Sequence, residues 1–239
     1  MIFVKRRAAV WSPLDLGNVG GWWDASDTSS ITASSGATSQ WNDKSGNGYH
    51  FTQSTGSAQP TTGTRTQNSL NVLDFDGGDW MTAGDVLDVT TGGLTLFVVC
   101  KFDGTGDGTP VGKHVNGAGH GRYGLTRVSG SMYAIFADPG GDPGPTKADT
   151  STAARVLSLR VARSGGNKQL FFDGTSQVTQ ATSGASSYNT TQAFKCGEYD
   201  GSLYRLDGWI GEIIHYTTNL SDTDHGTVVT NLKTKWGIT

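Results

Sequence analysis

The stretch RVLSLRVARSGGNKQLFFDGTSQ, residues 155–177, reads as a β-hairpin and decides the class of fold. Its two β-rich runs, Arg155 to Arg163 and Lys168 to Phe172, flank Ser164-Gly165-Gly166-Asn167, and the second ends in Asp173-Gly174. Gly and Asn tolerate the positive φ that a tight reversal demands, so both sites turn the chain back. Arg122 to Val128 and Met132 to Phe136 form a second hairpin around Ser129-Gly130-Ser131. Further short runs predict strands near 20–25, 38–42, 48–53, 71–76, 95–102, 193–198 and 204–217, separated by Gly, Asn, Asp and Ser. Two long loops, 103–110 and 138–149, carry Pro and Gly that interrupt strands.

Composition agrees with a chain of strands and loops. Among 239 residues there are 35 Gly, 22 Ser and 31 Thr, and 19 of the 21 acidic residues are Asp, leaving only Glu198 and Glu212 as Glu. Asp favours turns and caps, whereas Glu favours helices. Seven Trp, seven Tyr and nine Phe supply the bulk for a core. One helix is expected, at 222–235: Ser221 caps it, Val228, Val229, Leu232 and Trp236 share a face, and Gly237 ends it.

The net charge of −3 lacks the basic stripe of a nucleic-acid binder, and no apolar run approaches the roughly 20 residues that span a bilayer. Cys100 and Cys196 read as strand thiols, with a bridge as the alternative. Residues 1–17 are set apart as an arm, apolar and basic, which Pro13 is expected to keep extended. Phe3, Lys5, Arg6, Arg7 and Trp11 are its expected attachment residues, because exposed apolar bulk beside positive charge marks a contact surface. Folding back along the sheet edge is the alternative.

Several segments, in order, resemble a known family: WWDASDTSSIT (22–32), SQWNDKSGNGYHFTQST (39–55), VLDFDGGDWM (72–81), LTLFVVCKF (94–102), the hairpin 155–177, and GWIGEIIHYTTNLSDTDHGTVVTNLKTKWGI (208–238). Together they are similar to the concanavalin A-like, laminin-G-like domains found in bacterial surface proteins and phage virion proteins. Asp43 to Gly48 is the most specific piece. The resemblance implies an all-β domain over residues 18–239, a two-sheet antiparallel jelly-roll β-sandwich with one short C-terminal helix. No cofactor or metal is assigned; the resemblance leaves calcium as a candidate through Asp103, Asp107, Asp138 and Asp142 in the two Gly-rich loops, and the favoured reading of these residues is Asx-turns.

Catalytic relatives carry Glu-x-Asp-x-Glu on one strand. Glu198-Tyr199-Asp200 begins that pattern, but Gly201 and Ser202 follow. No catalytic residue is expected. Ligand binding is assigned to Trp80, Tyr199, Asp200 and Tyr204, because sugar-binding sandwiches stack a pyranose on an exposed aromatic ring. Residues 1–11 lack the apolar core of a signal peptide. The expectation is therefore a non-catalytic bacteriophage virion protein, a capsid decoration, head-fibre or tail-associated component, assembled in the host cytoplasm as a homo-oligomer. Its expected partners are other virion proteins and cell-surface glycans, with neither nucleic acid nor membrane. A bacterial carbohydrate-binding or adhesion module and a polysaccharide-cleaving enzyme are the alternatives.

Overall fold

The computed structural model describes residues 11–89, 92–114, 122–137, 144–163, 165–182, 191–201 and 203–239. The strands run β1 (Val19–Asp24), β2 (Ile31–Ser34), β3 (Ala37–Trp41), β4 (Phe51–Thr52), β5 (Thr61–Gln67), β6 (Leu70–Asp76), β7 (Met81–Gly84), β8 (Gly93–Phe102) and β9 (Gly108–Lys113). They continue through β10 (Arg122–Val128), β11 (Ser131–Ala137), β12 (Thr146–Ala148), β13 (Arg155–Ala162), β14 (Asn167–Phe172), β15 (Thr175–Ala181), β16 (Phe194–Cys196) and β17 (Asp207–Tyr216), and the chain closes with α1 (Asp222–Trp236). The expected hairpins form. Ser129 and Gly130 both take positive φ between β10 and β11, as do Asp173 and Gly174 between β14 and β15.

Among the described residues, all pairings are antiparallel and join the strands into one large, nearly closed sheet. One run of neighbours is β15, β14, β13, β8 and β17, whose first half pairs β6 and second half pairs β1. The other run is β2, β3, β4, β7, β16, β9, β10, β11 and β12. β5 connects the runs, pairing β6 along its length and β3 at Ala37–Thr61.

β8 is buried on both faces, which explains its unbroken apolar run. Leu94, Leu96, Val98 and Cys100 enter the main core with Trp23, Trp41, Phe51 and Phe194. Phe97 and Val99 face the other way, into a second cluster with Trp209, Tyr216, Val228, Leu232 and Trp236. Cys100 and Cys196 are both buried, free thiols. The helix begins and ends at its expected signals: Ser221 Oγ accepts the Asp224 N–H at 3.1 Å, and Gly237 adopts the left-handed conformation at φ 64°. Gly211 leaves room for Trp236, since a Cβ there would sit 2.9 Å from the indole.

The Asp43–Gly48 run is an architectural clamp. Asp43 accepts backbone N–H groups from Trp22, Ser45 and Tyr49 at 3.0, 2.8 and 3.1 Å, and Asn47 donates to the Val19 and Gly20 carbonyls of β1.

The N-terminal segment differs from expectation. Pro13 does not hold an extended arm; Pro13–Leu16 is one turn of 3-10 helix, capped by a Ser12–Asp15 capping box. Pro is preorganised for the first helical position, and that wins here. Tyr216 Oη donates to the Pro13 carbonyl at 3.1 Å, and Trp11 and Leu16 pack against the second cluster. Phe3, Lys5, Arg6 and Arg7 lie outside the described residues.

Candidate functional site

Strand register assembles a polar row that crosses the sheet. Thr32 pairs Gln40, Gln40 pairs Thr52, Thr52 pairs Thr82, and Lys195 of β16 pairs Thr82 on its far side. Directly paired residues in antiparallel strands share a face. Neighbours along these strands, Trp41, Phe51, Met81 and Cys196, are fully buried in the core, so the row faces outward. It floors an open trough of about 390 Å³ bounded by Gln53 and Trp80.

Trp80 is half-buried, and its backbone is held through both its N–H and its carbonyl. Its N–H donates to the Ala58 carbonyl at 3.1 Å, and its carbonyl accepts the Gln53 side-chain amide at 2.9 Å. The Lys195 ammonium lies 5.1 Å from the indole centroid and donates to Glu198 at 2.8 Å. Of the four expected ligand-binding residues, Trp80 alone lines this trough. Thr32, Gln40, Thr52 and Thr82 escaped the sequence reading. Their alternation with apolar residues was visible, but their alignment into one row needed the register.

Tyr199, Asp200 and Tyr204 sit elsewhere. Tyr199 is only 7% exposed, stacked on His114 at 4.4 Å and met edge-on by Tyr204 at 5.5 Å. It is therefore a packed ring and not an open platform. Tyr204 is half-buried with φ 48°, and Asp200 lies in the turn that carries the chain toward it. No ring contact joins Trp80 to either tyrosine among the described residues. Burial works against the charge of Glu198, but Lys195 and Arg205 outweigh it and hold the carboxyl below its ordinary range.

A second concavity, about 440 Å³, opens between the N-terminal segment, β1 and the helix, with Trp11, Trp22, Asp24 and Lys235 in its wall. Trp22 is half-buried here. Its indole N–H donates to Glu212 at 2.8 Å, as does that of Trp236, and the Lys235 ammonium joins Glu212 to Asp24 at 2.7 Å each. Burial, then the Asp24 charge, raises the Glu212 pKa. The two carboxylates resemble an acid–base pair, yet their side chains are 2% and 7% exposed. The Lys235 ammonium sits between them and two indole N–H groups occupy Glu212, so the pair braces the fold.

Of the calcium candidates, Asp103 is taken up by ion pairs. Arg65 grips both its oxygens and Lys101 adds a bond at 2.9 Å, and Arg65 above all holds its pKa down to about 2. Asp107 accepts the Ser129 N–H at 2.6 Å, a loop-bracing use. Asp138 and Asp142 lie outside the described residues. Among the described residues, no group of three or more His, Cys, Asp or Glu side chains is gathered to hold a metal.

No protein-family model matches the chain, and no curated protein matches it in sequence. Solved structures share its fold. A Trypanosoma rangeli sialidase in complex with 2,3-difluorosialic acid, a covalent intermediate, aligns with TM-score 0.62 at 12% identity, over 98% of this chain and 36% of that one. The receptor binding domain of botulinum neurotoxin D aligns with TM-score 0.59 at 12% identity, over 90% and 53%. The binding domain of Paraclostridial Mosquitocidal Protein 1 aligns with TM-score 0.55 at 10% identity, over 90% and 52%. The chain thus spans about a third of the sialidases and about half of the toxin domains. The sialidase likeness overturns the expectation that the chain is not an enzyme: the fold is one that enzymes contain.

Proposed function

We propose that this chain is a lectin-like glycan-binding domain, its sheet closing as the two-sheet jelly roll of the concanavalin A-like family, with carbohydrate bound on the Trp80 row. One observation carries the reading: a pinned, half-exposed indole stands beside a strand-borne row of hydroxyl and amide side chains. Sugars offer apolar ring faces to indoles and hydroxyls to such side chains. The solved neighbours support it, for one is a sialidase in complex with sialic acid and another the receptor binding domain of botulinum neurotoxin D. The setting we propose is a bacteriophage particle, on the strength of the segments 22–32, 39–55 and 208–238, which are similar to a family found in phage virion proteins and bacterial surface proteins.

The test is calorimetric or NMR titration of the full chain with a glycan panel, beside a Trp80→Ala variant of unchanged melting temperature. Sugar binding that the variant loses supports the reading. No binding at millimolar sugar, or binding indifferent to Trp80, overturns it. Reducing-sugar release is read in the same samples, because the fold is shared with sialidases.

A further inference from the structure

We infer that the ligand of the Trp80 row is an extended, uncharged glycan chain several sugars long, laid across the strands; this rests on the glycan-binding reading above. Thr32, Gln40, Thr52 and Thr82 occupy four successive strands, one residue on each. Adjacent strands lie about 4.8 Å apart, so the row spans about 14 Å, with a period close to that of one hexose in an extended chain. A chain crossing the strands therefore meets a fresh polar side chain at each sugar, and the Trp80 ring lies beside the Thr82 end.

The chemistry of the row selects against charge. Its side chains are hydroxyls and an amide, which donate and accept without ionising. Lys195, the cation at its end, already has Glu198 at 2.8 Å and the Trp80 ring at 5.1 Å. Glu198 already neutralises that ammonium, so a sialic acid carboxylate would meet a charge-compensated pair and not a free cation. Shape agrees: Thr32 and Thr52 are exposed and the trough is open, whereas a site for one small ligand encloses most of its surface.

The experiment titrates the full chain with neutral gluco-, manno- and xylo-oligosaccharides of one to six units, and with sialyllactose. Affinity should rise about tenfold or more between one and four units and then level off. Thr32→Ala and Gln40→Ala, the members of the row farthest from Trp80, should flatten that rise at unchanged melting temperature. Affinity independent of length, or preference for sialyllactose, overturns this inference and leaves glycan binding standing. Failure of every sugar to bind removes both.

Discussion

Glu212 ties together three parts of the chain, because its carboxylate collects the Trp22 indole of β1, the Trp236 indole of the helix and the Lys235 ammonium. A buried carboxylate is tolerable only when its acceptor sites are filled, and here they are. Glu212→Leu strands the buried Trp236 donor and should destabilise by about 1–3 kcal/mol in urea denaturation. Trp236→Ala should cost about 3–5 kcal/mol, since it empties the second cluster of its fully buried indole. Three buried histidines contribute to the acid sensitivity, and His225 is the one lowered least, to about 4 by burial. His114 and His215 are buried, and burial above all lowers their pKa from 6.5 to about 3. The unfolded chain binds protons below pH 6.5 that the folded chain refuses until about pH 3, so stability falls across that window as the pH drops. The slope is about 1.4 kcal/mol per pH unit for each histidine. Asp79, raised to about 6 by burial, works in the opposite sense between about 6 and 3.8. Denaturation midpoints measured from pH 7 to 4 should decline, and His215→Leu should make the decline shallower; an unchanged slope would refute the assignment.

At the scale of elements, legibility followed chemistry. The helix could be read because Ser221, its apolar face and Gly237 are local signals, and Ser221→Ala should cost about 1 kcal/mol, measured as a lower unfolding midpoint. β15, Thr175–Ala181, escaped the sequence reading: it is polar, mostly exposed and, among the described residues, paired on one side only, to β14, so its composition resembles a loop. β9 escaped for the opposite reason. Gly108-Thr-Pro-Val-Gly-Lys113 carries breakers, yet it lies between β10 and β16 with every residue buried. Gly112 is there because the His114 ring fills the space, a Cβ lying 2.0 Å from Nε2. Only a distant neighbour could reveal that need.

Across the whole molecule, the N-terminal segment is part of the packed structure from Trp11 onward. Deleting residues 1–16 should therefore lower stability relative to deleting residues 1–10. The difference should be about 2–4 kcal/mol, for the loss of the apolar burial of Trp11, Pro13 and Leu16. Equal stability of the two truncations would mean that the segment contributes nothing to the fold. The solved neighbours belong at this scale too, since at 10–15% identity they share the path of the chain and not its side chains.

The sequence by itself determined the all-β class, the two hairpins with their turn residues, the helix with both caps, and Trp80 as a candidate ligand contact. Each is written in local chemistry: period-two alternation, residues that accept positive φ, hydroxyl caps and the bulk of an indole. Tertiary structure alone decided that Tyr199 is packed, that Asp103 is claimed by Arg65, and that Thr32, Gln40, Thr52 and Thr82 form one row. These depend on partners up to 85 positions away in the chain, brought together by strand register. A slip of one residue in any of those strands would turn its member of the row into the core.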